Sequence, residues 1–239
     1  MPRGQLILIE GLDRSGKSTQ ASLLVSKLGH ASSSSSSLSP CSSKLLKFPD
    51  RTTPIGKLIN EYLTNKEFQL DDQAAHLLFL ANRWELNQEI HNLLNQGCFV
   101  VLDRYIYSGI AYTLAKNNLD DSDANKSISR GKKSSNLASV DWLLGPDKGL
   151  PKPDLTMFLT LDLEEISKRK GWGNERYELQ QFQAKVKRCF LQILNSNQDK
   201  SIEILDVGEK SIEEVTNQLW DVIVSHNANT LTEKPIEYI

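Results

Sequence analysis

The start of this 239-residue chain constrains its fold more than any other stretch. An apolar run, residues 6–9, leads into Gly11-Leu12-Asp13-Arg14-Ser15-Gly16-Lys17-Ser18-Thr19, and then into a segment with Leu23, Leu24 and Leu28 at helical spacing. Glycine, four residues, then Gly-Lys-Ser is a phosphate-binding loop: a turn with little side-chain bulk aims its backbone N–H groups at phosphate oxygens. Lys17 then reaches the terminal phosphates and Ser18 a magnesium ion, and the helix that follows adds its positive end. Gly11, Asp13, Arg14, Ser15, Gly16, Lys17, Ser18 and Thr19 are the expected contacts to a nucleoside triphosphate.

Further apolar runs recur at 45–48, 99–102, 155–161 and 202–205, with helix-period segments between them. They are nearly continuous rather than alternating, which is the pattern of parallel strands covered on both faces. The expected fold is therefore α/β: a parallel sheet of about five strands flanked by helices on both faces, of the P-loop NTPase type. Apolar spacing predicts helices over 55–63 and 176–194, a single long helix over 71–94, and one over 211–224 that opens with the Ser211/Glu214 capping box. One domain spans 1–225. The serine-rich stretch 32–43 and the polar stretch 117–136 read as inserted loops, and residues 226–239 as a frayed tail. Ligands in such sheets bind beyond the carboxyl ends of the strands.

Charge and cysteine usage exclude several classes. Lys and Arg number 28 against 30 Asp and Glu, a net charge of −2, so no positive field exists to hold nucleic acid or an anionic membrane. No apolar run approaches the roughly 20 residues of a membrane span. Cys41, Cys98 and Cys189 are scattered and odd in number, which fits neither a disulfide framework nor a zinc site. A reducing, cytoplasmic location is expected, with Cys98 a small buried apolar group. The basic part of the second insertion, Lys126 to Lys133, leaves nuclear entry open.

A phosphate loop alone does not define an activity. Residues 99–103 read as a strand ending in Asp103, the carboxylate that orients magnesium. Arg104 follows where motor ATPases usually carry a second acid. Arg51 follows the second strand, so both arginines belong at the ligand edge, where they can clamp an acceptor phosphate in bidentate fashion. Phe79 and Arg83 lie four apart on one helix face, an aromatic plane beside a planar donor; on spacing alone, core packing for Phe79 and solvation for Arg83 are the favoured reading. A guanine-nucleotide switch would need Asn-Lys-x-Asp, and residues 65–68 and 125–128 both fail at the fourth position.

Taken together, residues 10–20, 48–51, 81–85, Asp103-Arg104-Tyr105 with Ser108-Gly109, 150–154 and 175–178 resemble, in order, the thymidylate kinase family of the eukaryotic type with an arginine in the P-loop. The resemblance covers nearly the whole chain except the two insertions and the tail. It implies a nucleoside monophosphate kinase that transfers the γ-phosphoryl group of Mg·ATP to dTMP, giving dTDP and ADP for dTTP synthesis. A related kinase with another nucleotide or a deoxynucleoside as acceptor is the alternative. Arg14, Lys17, Asp103 and Arg104 would be catalytic, with Mg2+ at Ser18 and Asp103. Asp13 would bind the deoxyribose 3′-hydroxyl, Arg51 and Arg104 the 5′-phosphate, Phe79 the thymine face and Arg83 its edge. Tyr112 would crowd a ribose 2′ position. Phe48, Ser108, Gly109, Tyr177 and Gln183 complete the acceptor site. The resemblance also implies a lid over about 165–183, with Lys170, Gly171, Gly173 and Arg176, and a homodimer. ATP and dTMP are the expected partners.

Overall fold

The computed structural model describes residues 2–33, 43–117, 137, 139–168, 175–194 and 198–239. Five strands, β1 (Leu6–Gly11), β2 (Ser43–Lys47), β3 (Phe99–Asp103), β4 (Leu155–Thr160) and β5 (Ile202–Asp206), form one sheet in the order β2-β3-β1-β4-β5. Every pairing is parallel. β1, β3 and all but the last residue of β4 are buried, whereas β2 and β5 are only partly covered. That difference follows the sequence: Lys44 and Lys47 in β2, and Glu203 in β5, suit edge strands that a partner strand must not extend.

Successive residues of a strand serve opposite faces. Ile7 and Ile9 join one core cluster with Val101, Met157 and Phe190, whereas Leu6 and Leu8 join a second with Val100, Leu102 and Ile90. Both faces are therefore covered, as the continuous apolar runs require. The first layer is built by α1 (Lys17–Ser33), α5 (Ile106–Asn117), α8 (Gln180–Ile193) and α9 (Ile212–Ser225). Ser211 caps α9 with the reciprocal Glu214 bond that its spacing predicts. Short helices α6 (Val140–Leu144), followed by a 3₁₀ turn over Gly145–Asp147, and α7 (Leu163–Ser167) are too brief to leave a periodicity.

Three expectations are corrected. The long helix over 71–94 is two, α3 (Asp72–Glu85) and α4 (Asn87–Asn95), broken at buried Leu86 (φ −98°, ψ 0°). The break redirects the buried face: Ala75 of α3 packs against Ile59, Tyr62 and Leu63 in a third cluster, whereas Ile90 and Leu94 of α4 lie on the sheet. Residues 54–64 form α2 (Pro54–Thr64), which supplies that third cluster.

The tail is docked rather than frayed. Arg3 donates two 2.8 Å bonds to Asp154 and one to the Lys234 carbonyl, Thr232 pairs with Arg3, and Tyr238 with Pro151. Ile236 and Ile239 pack on the second cluster. Sequence polarity concealed this because the tail is held mostly through its backbone. Finally, Cys98 is fully buried but joined in a disulfide rather than a lone apolar group, and Cys189 is buried as well. Cys41, most of both insertions, and Lys170, Gly171 and Gly173 of the lid fall outside the described residues.

Candidate functional site

β1 enters the phosphate loop and α1 leaves it, so the loop sits at the carboxyl edge of the central strand. Arg14 adopts φ 63°, and Arg104, immediately after β3, φ 69°. Non-glycine residues in this region cost about 1–3 kcal/mol and persist where surrounding bonds hold them. Arg104 is held by its N–H to the Ile9 carbonyl (3.0 Å), and by its guanidinium to the Gly11 carbonyl (3.1 Å), Ser108 Oγ (3.2 Å) and the Asp13 carboxylate. Burial works against its charge, but Tyr112, Asp13 and Asp103 more than offset this, and its pKa is raised. The arginine is fixed and fully charged.

A cleft of about 680 Å³ opens over these strand ends. Its lining brings together the phosphate-loop residues Asp13, Arg14, Gly16, Lys17, Ser18 and Thr19 with Asp103. It also brings Phe48, Arg51, Phe79 and Arg83 against Arg104 and Ser108, with Gly109, Tyr112 and Tyr177 beside them. Thus groups scattered over 160 residues of sequence meet at one edge, as the parallel topology dictates.

At the phosphate-loop end, Ser18 Oγ donates to Asp103 Oδ2 at 2.5 Å. A hydroxyl and a carboxylate oxygen meeting beside a triphosphate loop are hard oxygen ligands that suit Mg2+, which otherwise keeps water and phosphate oxygens. Among the described residues no cluster of three or more His, Cys, Asp or Glu is available for an all-protein cage. Lys17 Nζ donates to the Leu12 carbonyl and lies 3.4 Å from Ser15 Oγ. Burial, with the positive Arg104 nearby, pushes the Lys17 pKa down to about 7, although Asp13, Asp103 and Glu10 pull the other way.

Three arginines of the lining each face a carboxylate beside the phosphate loop or residues 175–178. Arg14 Nε lies 2.8 Å from Glu178 Oε1, Arg51 Nη2 lies 2.8 Å from Glu175 Oε1, and Arg104 pairs with Asp13. Glu175 and Glu178 belong to a motif singled out in the sequence, yet it gave them no role. Three arginines poised on oxygen anions are suited to phosphate oxygens in the same positions.

Four expected site residues stand outside the lining. Gln183 is fully buried behind the cleft: its amide nitrogen donates to Asp13 Oδ2 (2.8 Å) and the Tyr177 carbonyl (3.0 Å), so it holds Asp13. Arg176 turns away from the cleft onto the carbonyls of Tyr62, Asn65 and Phe68, stapling residues 175–178 to the loop after α2. Gly11 and Ser15 lie beneath the cleft wall rather than in its lining. A side chain at Gly11 (φ 154°) would come within 2.7 Å of the Leu159 carbonyl, and Ser15 is buried.

Other residues were missed. Glu10 is fully buried and accepts from the N–H groups of Tyr105 and Ser108 (both 3.0 Å) and from Ser108 Oγ (2.6 Å), fixing the start of α5. Burial pushes its pKa up, against the pull of Ser108 and Arg104. His76, one turn before Phe79 on α3, lines the cleft with Nε2 3.0 Å from the Leu143 carbonyl and Nδ1 2.9 Å from Thr113 Oγ1. A carbonyl only accepts, so Nε2 carries the proton, and burial lowers the ring's pKa and keeps it neutral. The 3-and-7 spacing of His76 to Phe79 and Arg83 was the available signal. Asp147, which pairs with Arg83, left none.

One cleft with separate cations for a nucleotide's phosphates and for a second anion defines a P-loop nucleoside monophosphate kinase. The family model for thymidylate kinase matches residues 9–219. Curated thymidylate kinases from Homo sapiens (41% identical, covering 98% of this chain and 96% of theirs) and Schizosaccharomyces pombe (41%, 94% and 94%) are similar over nearly their whole length. So is a solved thymidylate kinase from Candida albicans, described as having broad substrate specificity and a novel structural element. It is 66% identical with a TM-score of 0.88, covering 100% of this chain and 99% of that one. The chain belongs to the thymidylate kinase family, ATP-dependent kinases that phosphorylate dTMP to dTDP.

Proposed function

We propose that this cleft performs in-line transfer of the γ-phosphoryl group from Mg·ATP to the 5′-phosphate of dTMP, with the residue roles that follow. The observation that carries the reading is the convergence of two cation sets: Lys17 and Arg14 at the phosphate loop, Arg51 and Arg104 across from it. The attacking oxygen belongs to a phosphate already ionised near pH 7, so no general base is required and catalysis is positioning plus charge neutralisation. Lys17 neutralises the β/γ oxygens, and Arg14 meets the transferring group once it exchanges Glu178 for phosphate. Arg51 exchanges Glu175 for the acceptor phosphate. Ser18 and Asp103 are the residues that would hold Mg2+, which supplies charge neutralisation of the triphosphate oxygens. Asp13 takes the 3′-hydroxyl, Phe79 the thymine face and Arg83 its edge, with Tyr112 against the sugar, its ring 5.6 Å from the Arg104 guanidinium. Gln183 acts through Asp13.

The test is an acceptor panel: ADP formation from Mg·ATP with dTMP, dUMP, dCMP, dGMP, AMP and thymidine. Fastest turnover with dTMP is expected. Similarity to the broad-specificity Candida albicans enzyme adds the expectation of a slower second acceptor among the nucleotides. Turnover with thymidine in place of dTMP would overturn the phosphate clamp, since a nucleoside offers Arg51 and Arg104 nothing to hold.

The homodimer is proposed from α2 and α3. Leu77 (42% exposed) and Trp84 (38%) lie seven apart on α3, and Leu58 (47%) is exposed on the neighbouring α2. A stripe of this kind is suited to the same stripe on a second copy. Light scattering should return twice the chain mass, and Leu77→Glu should halve it; a wild-type monomer at assay concentration would remove the proposal. No described helix is long and apolar enough to cross a membrane. The cytoplasmic assignment is tested at Cys98, whose alkylation state in freshly lysed cells reports whether its disulfide exists there.

A further inference from the structure

Arg83 and Asp147 form a bidentate pair with almost no access to water, 3% and 0% exposed. Arg83 Nε donates to Oδ1 and Nη2 to Oδ2, both at 2.8 Å. An arginine fork has five N–H groups, and this pairing fixes its plane while leaving Nη1 without a close acceptor. Among the described residues Nη1 makes one long 3.4 Å contact, to the Phe79 carbonyl. It also lies against Gly109, where a side chain would come within 2.9 Å of it. Arg83, Phe79 and Gly109 all line the cleft, and Asp147 does not. The carboxylate therefore holds the arginine from behind and turns its uncommitted nitrogen toward the acceptor end.

Asp147 is itself held. Its 3₁₀ turn receives the Trp84 indole N–H on the Pro146 carbonyl (3.1 Å). Leu150 N–H closes onto the Asp147 carbonyl (3.0 Å), and Ile239 exchanges backbone bonds with Gly149 (3.2 Å) and Leu150 (3.0 Å). Thus α3 supplies both the base-reading arginine and, through Trp84, a brace for the carboxylate that aims it. The docked tail supplies a second brace.

We propose that Asp147 is a positioning residue for acceptor recognition, fixing the Arg83 guanidinium so that Nη1 meets the acceptor base and acting on dTMP binding through Arg83 alone. The inference rests on the reading of Arg83 as the base-edge contact. A pair serving only stability could be exchanged for apolar residues of like volume; a pair that aims a donor cannot.

The experiment uses full-length protein and compares wild type, Asp147→Asn, Asp147→Glu, Arg83→Gln and the Arg83→Gln/Asp147→Asn double variant. Thermal denaturation and the KM for dTMP, the KM for Mg·ATP and kcat are measured for each. Asp147→Asn should raise the dTMP KM about tenfold, the scale of one weakened charge-assisted bond, with a smaller change in kcat and little in the Mg·ATP KM. Asp147→Glu should recover part of that loss. In the Arg83→Gln background, Asp147→Asn should add less than about a twofold change. An unchanged dTMP KM in Arg83→Gln would defeat the base-contact reading itself. If Arg83→Gln raises the KM but Asp147→Asn does not, or if Asp147→Asn acts equally in both backgrounds, the positioning role is overturned and the base contact stands. Failure of both single Asp147 variants to fold would also overturn it, since the residue would then serve the fold rather than the site.

Discussion

Arg14 is the residue on which the catalytic account depends most heavily. It sits at positive φ inside the phosphate loop, with its guanidinium on Glu178. If it meets charge that develops on the transferring group, Arg14→Ala should lower kcat by about 10³-fold or more, the scale of an arginine that stabilises phosphoryl transfer. The dTMP KM should change far less in rapid-mixing or steady-state assays. Equal losses in both parameters would place Arg14 in ground-state binding instead. Lys17 makes a separate prediction. With its pKa pushed down to about 7, mainly by burial, it loses charge as pH rises through 7. Triphosphate oxygens favour the charged form, so bound Lys17 titrates at higher pH than free Lys17. Mg·ATP binding above pH 7 should therefore take up a proton, and affinity should fall by up to about tenfold per pH unit. Calorimetry at pH 8 in two buffers of different ionisation enthalpy measures that uptake directly; affinity flat from pH 6 to 8.5 would contradict it.

At the scale of elements, α3 organises the acceptor end. Beyond Phe79 and Arg83 it carries Asn82, fully buried, whose carbonyl accepts from Asp50 N–H (2.8 Å) and whose amide donates to the Asp50 carbonyl, Thr53 Oγ1 and Glu85 Oε2. These bonds fix the loop after β2 that presents Arg51. Asn82→Ala should cost about 2–3 kcal/mol of stability, because buried backbone groups lose their partners, and should also raise the dTMP KM. Urea unfolding and acceptor kinetics check both; a loss of stability with an unchanged KM would mean that Arg51 is placed by other contacts. The element scale also shows what could be read in advance. The phosphate loop, the five strands, and the α2 and α9 helices left local signals in spacing and caps, and Arg51 and Arg104 followed because parallel strands deliver their ends to one edge, whereas Phe79 and Arg83 shared a helix face and gained a site role only from the family resemblance. The break at Leu86 was hidden because apolar periodicity continues through it while the direction of burial changes. Asp147, Glu175 and Glu178 were hidden because their roles are to face particular arginines, and a carboxylate that pairs across the fold looks in sequence like any solvated one.

Over the whole molecule, the sheet order puts β1 at the centre, with Asp103 and Arg104 from β3 on one side of the phosphate loop and residues 175–178 reaching back to close the other. The tail belongs to this construction: its backbone bonds to residues 149–152 brace the turn that carries Asp147. The polar tail sequence concealed that because main-chain bonding leaves side-chain identity free. The molecule as a whole thus gathers the phosphate loop and a second set of arginines in one cleft, which is what the proposed transfer between two phosphates requires. Incubation with ATP labelled in its γ-phosphate, in the presence and absence of dTMP, tests this most directly. The account predicts label in the β-phosphate of dTDP, dependent on dTMP, with little free phosphate. Label released as inorganic phosphate at the same rate with or without dTMP would contradict it, because the cleft would then be delivering the phosphoryl group to water.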